Sequence, residues 1–593
     1  MGPVRLAPAA VDLERRGDDL LLRCPHAPGA PVRALGVLLE GWAQRDPSRT
    51  FLAERDGARW QRLEYGTAWE TTQRVGSALL DLGASPTRPV ALLSHNSLSH
   101  ALMQLAAMHV GVPVAPISPA YSLLSSTHDR LRRIIATLRP AVVFAEDLVR
   151  YAAAVDTLPD EVAVIGDGDY GGDSTPFAVV ADTAPSEAAA AAWAAVGPDT
   201  IAKILFTSGS TGHPKGVVNT QRMLCSNQEA IATLWPFLAD TPPITVDWLP
   251  WSHTFGGNHN LGMIVRNGGT LYIDGGRPAP GLLDATVANL REVSPTIYFN
   301  VPRGYDLLAA AMEQDHELRQ RFFARLDVLF YAAAALPPAT RARLDALAQA
   351  EGREVFLASA WGSTETAPLA TSAYFPTSTP AVIGLPAPGV EIKLAACDGR
   401  HELRVRGPNV TPGTWEPGGT ITPPALDAEG FLCTGDAGWL ADDDDPRLGI
   451  RFEGRLGENF KLTTGTWVLV GKLRVSLVDA CAPWVQDAVI AGQDRDEITA
   501  LLFPAPLPSG VSAAEQRAHI VEGLRRHNAA HPASSTAVHR VTLETEPPSL
   551  DAGETTDKGY LNQRRILERR AATVQRLYST PPGDEVIEIP TKG

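Results

Sequence analysis

Hydrophobic residues in the first 430 positions fall into short apolar runs separated by longer stretches with helical spacing. The runs are three to six residues long, which suits buried strands better than helices. The stretch at 95–110 has small residues on one face and predicts a helix between two strands. The predicted strands lie at residues 89–93, 112–117, 141–144, 202–206, 328–330 and 354–356. Strand, helix and strand in repeated order predict a parallel sheet covered on both faces.

The hydrophobic pattern changes twice toward the C-terminus. After about residue 389, short alternating strands at 391–394 and 402–406 with Pro and Gly turns are typical of antiparallel structure. Beyond about residue 454, a strand at 488–491 and a helix at 514–528 indicate a small separate domain. We therefore predict an α/β fold. Its large N-terminal domain (1–454) has parallel-rich sheets sandwiched by helices and a β-rich subdomain from about 389, and a small mobile α+β C-terminal domain (455–593) follows.

Composition narrows the function classes. The net charge of −15 disfavours a nucleic-acid partner, whose binding needs a basic surface. The five cysteines are dispersed without a CxxC pair, which favours a reducing compartment over a disulfide framework. The N-terminus lacks the pattern of a signal peptide, and no run of 18 apolar residues occurs. We therefore expect a cytoplasmic protein that binds neither nucleic acid nor membrane.

Residues 207–216 read TSGSTGHPKG and directly follow a predicted strand. Glycines allow close backbone approach, and the N–H groups and hydroxyls of such a loop can surround phosphate oxygens, with Lys215 adding a charge at the far end. The spacing is not that of a Walker A loop, because five residues separate Gly209 from Lys215 and Gly216 follows the lysine. A flexible Ser/Gly linker is the alternative, and the apolar strand on each side disfavours it.

Two later segments combine small, hydroxyl and acidic residues that suit a nucleotide. Residues 360–366 read AWGSTET: Glu365 suits a hard cation, the Thr364 hydroxyl suits a phosphate, and Trp361 offers a flat face to a purine. Residues 432–436 read LCTGD, where Asp436 beside a glycine turn can accept bonds from both ribose hydroxyls. Taken alone, the first segment is equally consistent with a solvent-exposed turn.

Together and in this order, the motifs resemble those of the AMP-forming adenylate ligases, the superfamily of acyl-CoA synthetases, carrier-loading adenylation domains and firefly luciferase. Gly454 and Arg455 resemble the motif that comes next in this superfamily. Residues 250–257 (PWSHTFGG) resemble its histidine or aromatic gate, with an ordinary histidine as the alternative for His253. Residues 332–335 resemble the loop that packs against adenine, with a plain helix start before Pro337 as the alternative. The resemblance implies ATP, Mg²⁺, coenzyme A and a small-molecule carboxylic acid as ligands, and it leaves a homodimer open.

The resemblance also implies roles for individual residues. It assigns catalysis to Lys558, Thr364 and His253, and Mg²⁺ binding to Glu365. The implied cofactor-binding residues are Thr207, Ser208, Gly209, Ser210, Thr211, Gly212, Lys215, Ala333, Ala334, Trp361, Gly362, Ser363, Asp436, Arg455, Lys461 and Gly465. The implied acid-pocket residues are His253, Asn258, Asn300, Arg303 and Ala333.

Two positions depart from the superfamily pattern. The residue before the C-terminal lysine is usually glycine, whereas here Asp557 precedes Lys558, and Lys592 is the fallback. The hinge usually carries Asp or Lys, whereas here it is Gly457, which tolerates wide changes in φ and ψ. Arginine is the default cation of the chain, and Lys215, Lys461 and Lys558 place three of the seven lysines in motifs, which supports their assignment.

The implied reaction has two steps. A carboxylate attacks the α-phosphorus of ATP and releases pyrophosphate; the small domain then rotates about Gly457, and a thiol replaces AMP. Segments 219–228 and 248–260 resemble feruloyl-CoA synthases, which implies an aromatic, cinnamic-type acid, with medium-chain and alicyclic acids left open.

Three hypotheses compete with this one. The first is a stand-alone enzyme that loads a separate carrier protein, since no phosphopantetheine-attachment motif occurs in the chain. The second is a reductase-type adenylation module, disfavoured because no dinucleotide domain follows. The third is a non-catalytic nucleotide-binding protein, against which Glu365, Asp436 and Lys558 count.

Overall fold

The computed structural model describes residues 4–207, 214–279, 281–377, 381–507, 510–557 and 559–589. Within these ranges, the N-terminal domain holds an eight-stranded sheet in which the last five strands of the spatial order pair in parallel. Leu92 belongs to one buried cluster with Met103, whereas its neighbour Leu93 belongs to another with Leu131, so the sheet is covered on both faces as predicted. In spatial order the strands are Ile421–Thr422, Thr414–Trp415, Lys215–Thr220, Ile201–Thr207, Val114–Ile117, Val90–Leu93, Val142–Ala145 and Ala163–Gly166.

Helices flank and connect these strands. The helix predicted at 95–110 begins at Leu98, because the Ser97 hydroxyl caps it by accepting a 3.1 Å hydrogen bond from the His100 N–H. The helices of this region are Leu35–Arg45, Tyr65–Asp81, Leu98–His109, Ala120–Leu123, Asp129–Leu138, Leu148–Val155, Phe177–Ala181 and Glu187–Ala195.

An eleven-stranded sheet carries most of the motif residues. Its last three strands pair in parallel and the others antiparallel, so the two patterns predicted on either side of residue 389 meet in one sheet. In order the strands are Asp12–Arg16, Asp19–Arg23, Glu391–Cys397, Arg400–Arg406, Leu432–Leu440, Ile450–Arg455, Val382–Pro386, Leu369–Ala373, Phe356–Gly362, Val328–Tyr331 and Ile297–Asn300.

The bounds predicted for the strand at 354–356 are wrong. The strand begins at Phe356 and ends at Gly362, because Ser359 to Gly362 pair antiparallel with the strand Leu369–Ala373. The first three residues of AWGSTET therefore lie in a strand, and the turn begins at Ser363.

A four-stranded sheet completes the N-terminal domain. Its strands are Ile244–Asp247, Thr270–Ile273, Thr50–Asp56 and Arg59–Glu64. The remaining helices of the domain are Gln221–Leu234, Leu261–Asn267, Leu283–Glu292, Pro302–Gln314, His316–Phe323 and Pro338–Ala350. A π-helical turn, Phe255–Asn260, leads into the second of them.

The smaller C-terminal domain has its own core, in which Phe460, Leu473 and Ile520 belong to one buried cluster. Its sheet consists of Val485–Ala491, Ile498–Pro504, Val538–Leu543 and Ile587–Glu588, and a ribbon pairs Phe460–Lys461 with Trp467–Val468. Its helices are Val470–Ala480, Ala513–Ala530, Gln563–Arg569 and Ala571–Leu577. None of the helices described in either domain is long and apolar enough to cross a bilayer.

Candidate active site

Three predicted nucleotide-binding residues, on the fifth, sixth and ninth strands of the eleven-stranded sheet, meet through their side chains. The indole N–H of Trp361 donates a 3.0 Å hydrogen bond to Oδ2 of Asp436. Arg455 lies opposite Asp436 on the next strand, and its Nε atom is 3.4 Å from Oδ1 of the carboxylate. The Arg455 side chain is 63% exposed, so it is accessible to a ligand from solvent. The structure thus joins motifs that are about 75 and 20 residues apart in the chain.

The Asp436 carboxylate is buried but incompletely bonded. Burial raises the pKa of Asp436 above its ordinary value, while Arg455 and the Trp361 hydrogen bond oppose that rise. With Oδ2 accepting from Trp361, Oδ1 has no hydrogen-bond partner among the residues that the structure describes. Arg455 faces this oxygen as an ion pair at 3.4 Å but donates no hydrogen bond to it, so the atom suits a hydroxyl donor such as a ribose. One oxygen can accept such a bond, instead of the two that the sequence suggests.

The second of the two strands that flank the TSGSTGHPKG loop contacts the turn that follows Trp361. Thr207 ends one strand and the exposed Lys215 begins the next. The predicted ligands Ser208, Gly209, Ser210, Thr211 and Gly212 lie outside the described residues. Farther along the second strand, the Asn219 side-chain amide donates a 3.1 Å hydrogen bond to the carbonyl oxygen of Thr364.

The strands Ile201–Thr207 and Lys215–Thr220 form a hairpin. A second set of hydrogen bonds, besides that of Asn219, joins this hairpin to the AWGSTET turn. The Thr411 hydroxyl donates to the Val218 carbonyl over 2.6 Å, and the Thr411 N–H donates to the Glu365 carbonyl over 2.8 Å. The hairpin and the turn that carries Thr364 and Glu365 therefore form one unit. Gly362 and Ser363 lie between Trp361 and that turn, at the end of the strand.

Glu365 is a half-buried carboxylate near enough to Asp436 to contribute to the raised pKa of that residue. Among the described residues, no group of three His, Cys, Asp or Glu side chains is arranged to hold a metal ion. A lone carboxylate still fits Mg²⁺, which is commonly bound by one or two carboxylates together with substrate phosphates and water. Glu365 therefore suits a Mg²⁺ ion that is also bound by the phosphates of a nucleotide.

The residues predicted to pack against adenine form an exposed loop. Ala333 has a φ of 75°, in the left-handed region that alanine rarely occupies. Ala334 is exposed beside it, and the next helix begins only at Pro338. Strained backbone of this kind tends to be retained at ligand sites.

His253 lies just before the π-helical turn Phe255–Asn260 and accepts, through its carbonyl oxygen, a 2.8 Å hydrogen bond from the Gly257 N–H. A Cβ atom added to Gly257 would lie 2.3 Å from the Trp251 carbonyl oxygen, so the close packing of this turn requires glycine. The His253 imidazole faces the C-terminal domain: its Nε2 atom is 3.1 Å from Oδ2 of Asp557.

A buried lysine that the sequence analysis left without a role supports this turn. The Nζ atom of Lys203 donates a 2.8 Å hydrogen bond to the Gly257 carbonyl oxygen. Lys203 is 1% exposed, and burial lowers its pKa to about 7. The scarcity of lysine was the available signal for this residue, because a lysine retained in a buried strand of an arginine-rich chain is unusual.

The predicted acid-pocket residues separate into two groups. Asn258 and Asn300 are buried and engaged with the protein: Asn258 donates to Asn219 over 2.7 Å, and Asn300 accepts from the Trp248 indole over 3.2 Å. Arg303, by contrast, is 64% exposed and forms an ion pair with Asp306. The first two residues therefore shape the interior, and the third lies on the surface.

An aromatic cluster includes the chain neighbours of these asparagines, His259 and Phe299. The His259 ring stacks on Phe330 with centroids 4.9 Å apart, and Phe255, Phe299 and Trp235 also contact Phe330. Burial lowers the pKa of His259 to about 4, so this imidazole is neutral near pH 7. The cluster is therefore an uncharged, aromatic part of the core next to the gate segment.

One contact between the C-terminal and N-terminal domains is formed by residues 551–557. The Asp551 carboxylate accepts from the Ser125 hydroxyl over 2.6 Å and from the Ser126 N–H over 3.1 Å. Lys558 itself, like the fallback Lys592, lies outside the described residues. Its neighbour Asp557 is described, and its contact with His253 brings this segment to the cleft.

The other C-terminal predictions lie around the domain junction. The Lys461 Nζ atom is 4.8 Å from the centre of the Trp467 ring, across a ribbon whose turn contains Gly465 with a φ of 80°. Gly457 is exposed, and its chain neighbours aside, no heavy atom of the described residues lies within 4 Å of an added Cβ.

Comparison with known families gives two matches. The model described as AMP-binding enzyme matches residues 39–415, and the model described as AMP-binding enzyme C-terminal domain matches residues 462–581. The two matches together span both domains of the structure.

Individual relatives are remote in sequence. A methyl-dioxo-octahydroindenyl propanoyl:CoA ligase of Rhodococcus jostii is 27% identical over 64% of this chain and 73% of its own. The indoleacetate–CoA ligase of Aromatoleum aromaticum is also 27% identical, over 68% of this chain and 76% of its own. The crystal structure of an anthranilate CoA ligase in complex with anthranoyl-AMP shares the fold, with a TM-score of 0.70, 21% identity, and coverage of 92% of this chain and 99% of that one.

Proposed function

Since the chain belongs to the AMP-binding enzyme family, we propose that it activates a carboxylic acid with ATP and transfers the acyl group to coenzyme A. In the first step, a carboxylate oxygen forms a bond to the α-phosphorus, the bond from that phosphorus to the bridging oxygen breaks, and pyrophosphate leaves. In the second step, the thiol sulfur attacks the acyl carbon, AMP departs, and the thiol proton passes to solvent.

The observation that carries this proposal is the buried Oδ1 atom of Asp436, which accepts no hydrogen bond within the part of the chain that the structure describes. It lies beside Trp361 and 3.4 Å from the Nε atom of Arg455, and the hairpin that carries the glycine-rich loop joins the neighbouring turn through Asn219 and Thr364. A ribose hydroxyl donated to this oxygen would supply the missing bond of a buried acid. The nucleotide would then extend toward Thr364 and the loop between Thr207 and Lys215.

Each residue has a distinct task in this proposal. The Thr364 hydroxyl and Lys215 bind phosphate oxygens, and Arg455 contacts the ribose and phosphate side. Lys558 neutralises charge on the α-phosphoryl group as it becomes pentavalent, which is the term that usually contributes most to catalysis. Glu365 would hold Mg²⁺, which supplies positive charge to the phosphate oxygens when it is bound.

We further propose that the acid is aromatic and of the cinnamic type. The support is the aromatic cluster of Phe255, Phe299, Phe330 and Trp235 beside the gate, with a neutral His259. Flat rings pack favourably against such a wall, whereas a second charge on the acid would be desolvated without a partner. Arg303 is exposed and already paired with Asp306, so it offers no buried counterion.

The test is acid-dependent exchange of labelled pyrophosphate into ATP, followed by thiol consumption with coenzyme A. The panel contains hydroxycinnamic, benzoic, phenylacetic, medium-chain and alicyclic acids. We expect exchange and thiol loss with the hydroxycinnamic acids above all. Exchange without thiol loss would support a carrier-protein acceptor instead, and the absence of exchange with every acid, while ATP still binds, would support a non-catalytic nucleotide-binding protein.

A further inference from the structure

One carboxylate of the C-terminal domain reaches the gate histidine of the N-terminal domain. The Oδ2 atom of Asp557 lies 3.1 Å from Nε2 of His253, and the two side chains are only 7% and 13% exposed. A carboxylate buried to this extent is unstable unless a cation or hydrogen-bond donors face it. The contact is thus a buried one, unlike the exposed ion pairs of the surface.

A second residue of the N-terminal domain faces the same carboxylate. The Tyr121 side chain, which is 2% exposed, lies near enough to Asp557 for the charge of that carboxylate, together with burial, to raise the pKa of Tyr121. The phenol is therefore neutral near pH 7. The Cζ atom of Arg130 is 5.6 Å from the centre of the Tyr121 ring. Asp557 consequently lies near polar side chains from two separate segments of the N-terminal domain, those of His253 and Tyr121.

The position of Asp557 in the chain gives this contact its significance. It directly precedes Lys558, and neighbouring Cα atoms are about 3.8 Å apart, so fixing one residue restricts the other. The Asp551 contacts with Ser125 and Ser126 fix the start of the same segment. The segment is therefore attached at both ends, and the Asp557 end lies at the gate.

We propose that Asp557 is a positioning residue for adenylate formation: through its contact with His253 it fixes the segment that precedes Lys558 at the gate. This inference rests on the proposed function, because it assigns Asp557 to the first of the two proposed steps. The transfer to the thiol does not use Lys558, so it does not need this contact. Asp557 contacts no reacting atom in this scheme and acts through its neighbour and through His253.

The test measures the two half-reactions separately in the full-length protein. Asp557→Asn keeps the shape but removes the charge, and it should slow acid-dependent pyrophosphate exchange about 10- to 100-fold, the range for loss of a hydrogen bond to a charged group. Thioester formation from pre-made acyl-AMP should stay near the wild-type rate, which also shows that the variant is folded. The matched control is Asp479→Asn, which changes an exposed carboxylate of the same domain and should leave both rates unchanged.

A double-mutant cycle checks the partner. His253→Gln and Asp557→Asn should combine to a loss smaller than the product of the two single losses, because each removes the same interaction. Wild-type exchange rates in both Asp557→Asn and Asp557→Ala would overturn the inference. An equal fall of both half-reactions would also overturn it, since a merely structural residue affects both.

Hydrogen exchange separates failure of this inference from failure of the proposed function. The Ser126 N–H, which donates to Asp551 across the domain interface, should exchange faster in Asp557→Asn than in the wild type if Asp557 holds the segment in place. If the wild type exchanges no pyrophosphate with any acid, the proposed function fails, and the Ser126 amide still decides whether Asp557 docks the segment. An unchanged Ser126 rate in that case would reject the positioning role.

Discussion

Trp361 donates its indole N–H to Asp436 although their strands are not neighbours in the sheet. Three strands, Leu369–Ala373, Val382–Pro386 and Ile450–Arg455, separate them in the hydrogen-bonded order. In a flat sheet the two strands would lie about 19 Å apart, at roughly 4.8 Å for each step. A 3.0 Å hydrogen bond between their side chains therefore requires the sheet to curl, and the candidate nucleotide site lies in that curl.

Trp361→Phe removes the donor to Asp436 but keeps an aromatic face. We expect the KM for ATP to rise about 10-fold or more, because a hydrogen bond to a charged group contributes about 1.5–3 kcal/mol. Pyrophosphate exchange at varied ATP concentration measures this. Trp439→Phe, at an exposed position on the strand that carries Asp436, is the control; equal KM values in the two variants would speak against a role of the Trp361 hydrogen bond.

Asn219→Ala removes the side chain that bonds both Thr364 and Asn258. Loss of these buried hydrogen bonds should cost about 1–3 kcal/mol of unfolding free energy and raise the KM for ATP, since the Thr364 turn loses its support. Urea unfolding and exchange kinetics report the two effects. Asn528→Ala removes an equally buried bridge, to Val538 in the C-terminal domain, and should lower stability without changing the KM.

Lys203 makes stability depend on pH. Burial lowers its pKa to about 7 in the folded protein, against 10.5 as the ordinary value. Between these values the unfolded chain holds one more proton, so stability rises with pH by about 1.4 kcal/mol per unit, and below pH 7 this contribution is flat. Lys203→Met should abolish the rise. Urea unfolding from pH 7 to 9 measures the slope, and Lys472→Met, at an exposed lysine, should retain it.

Lys558→Ala should lower the rate of acid-dependent exchange by roughly 10²–10³, the loss typical of one donor to a developing oxyanion. Thioester formation from pre-made acyl-AMP should be largely kept, because the lysine serves the first step. Lys472→Ala, in the same domain, is the reference for a lysine outside the motifs. Unchanged exchange in Lys558→Ala would assign the catalytic cation to another residue.

Local pattern was sufficient to predict most of the elements that carry the motifs. The strands at 202–206 and 328–330 appear within a residue of the predicted bounds, because short apolar runs between polar loops have few other conformations available. The strand at 354–356 was misplaced, since its length depends on antiparallel pairing with Leu369–Ala373. The turn that joins the two strands begins at Ser363, and its residues do not have the apolar pattern that predicts a strand.

Contacts between distant segments could not be predicted from pattern. The proximity of His253 and Asp557, more than 300 residues apart, depends on how the two domains pack. The hydrogen bond from Lys203 to Gly257 likewise joins a strand to a π-helical turn, and no periodicity indicates such a turn. The sequence identified Asp557 as unusual from its place before Lys558, but only the structure supplies its partner.

The crowded turn at Gly256 and Gly257 limits how this part of the chain can change. An added methyl group at either position would meet a main-chain oxygen at 2.3 Å, and neither the Leu249 nor the Trp251 carbonyl can move independently of its backbone. Redesign or natural drift of the segment 250–257 must therefore keep the two glycines and act on the other side chains. The main chain here is a fixed template, and diversity has to accumulate in the residues that it carries.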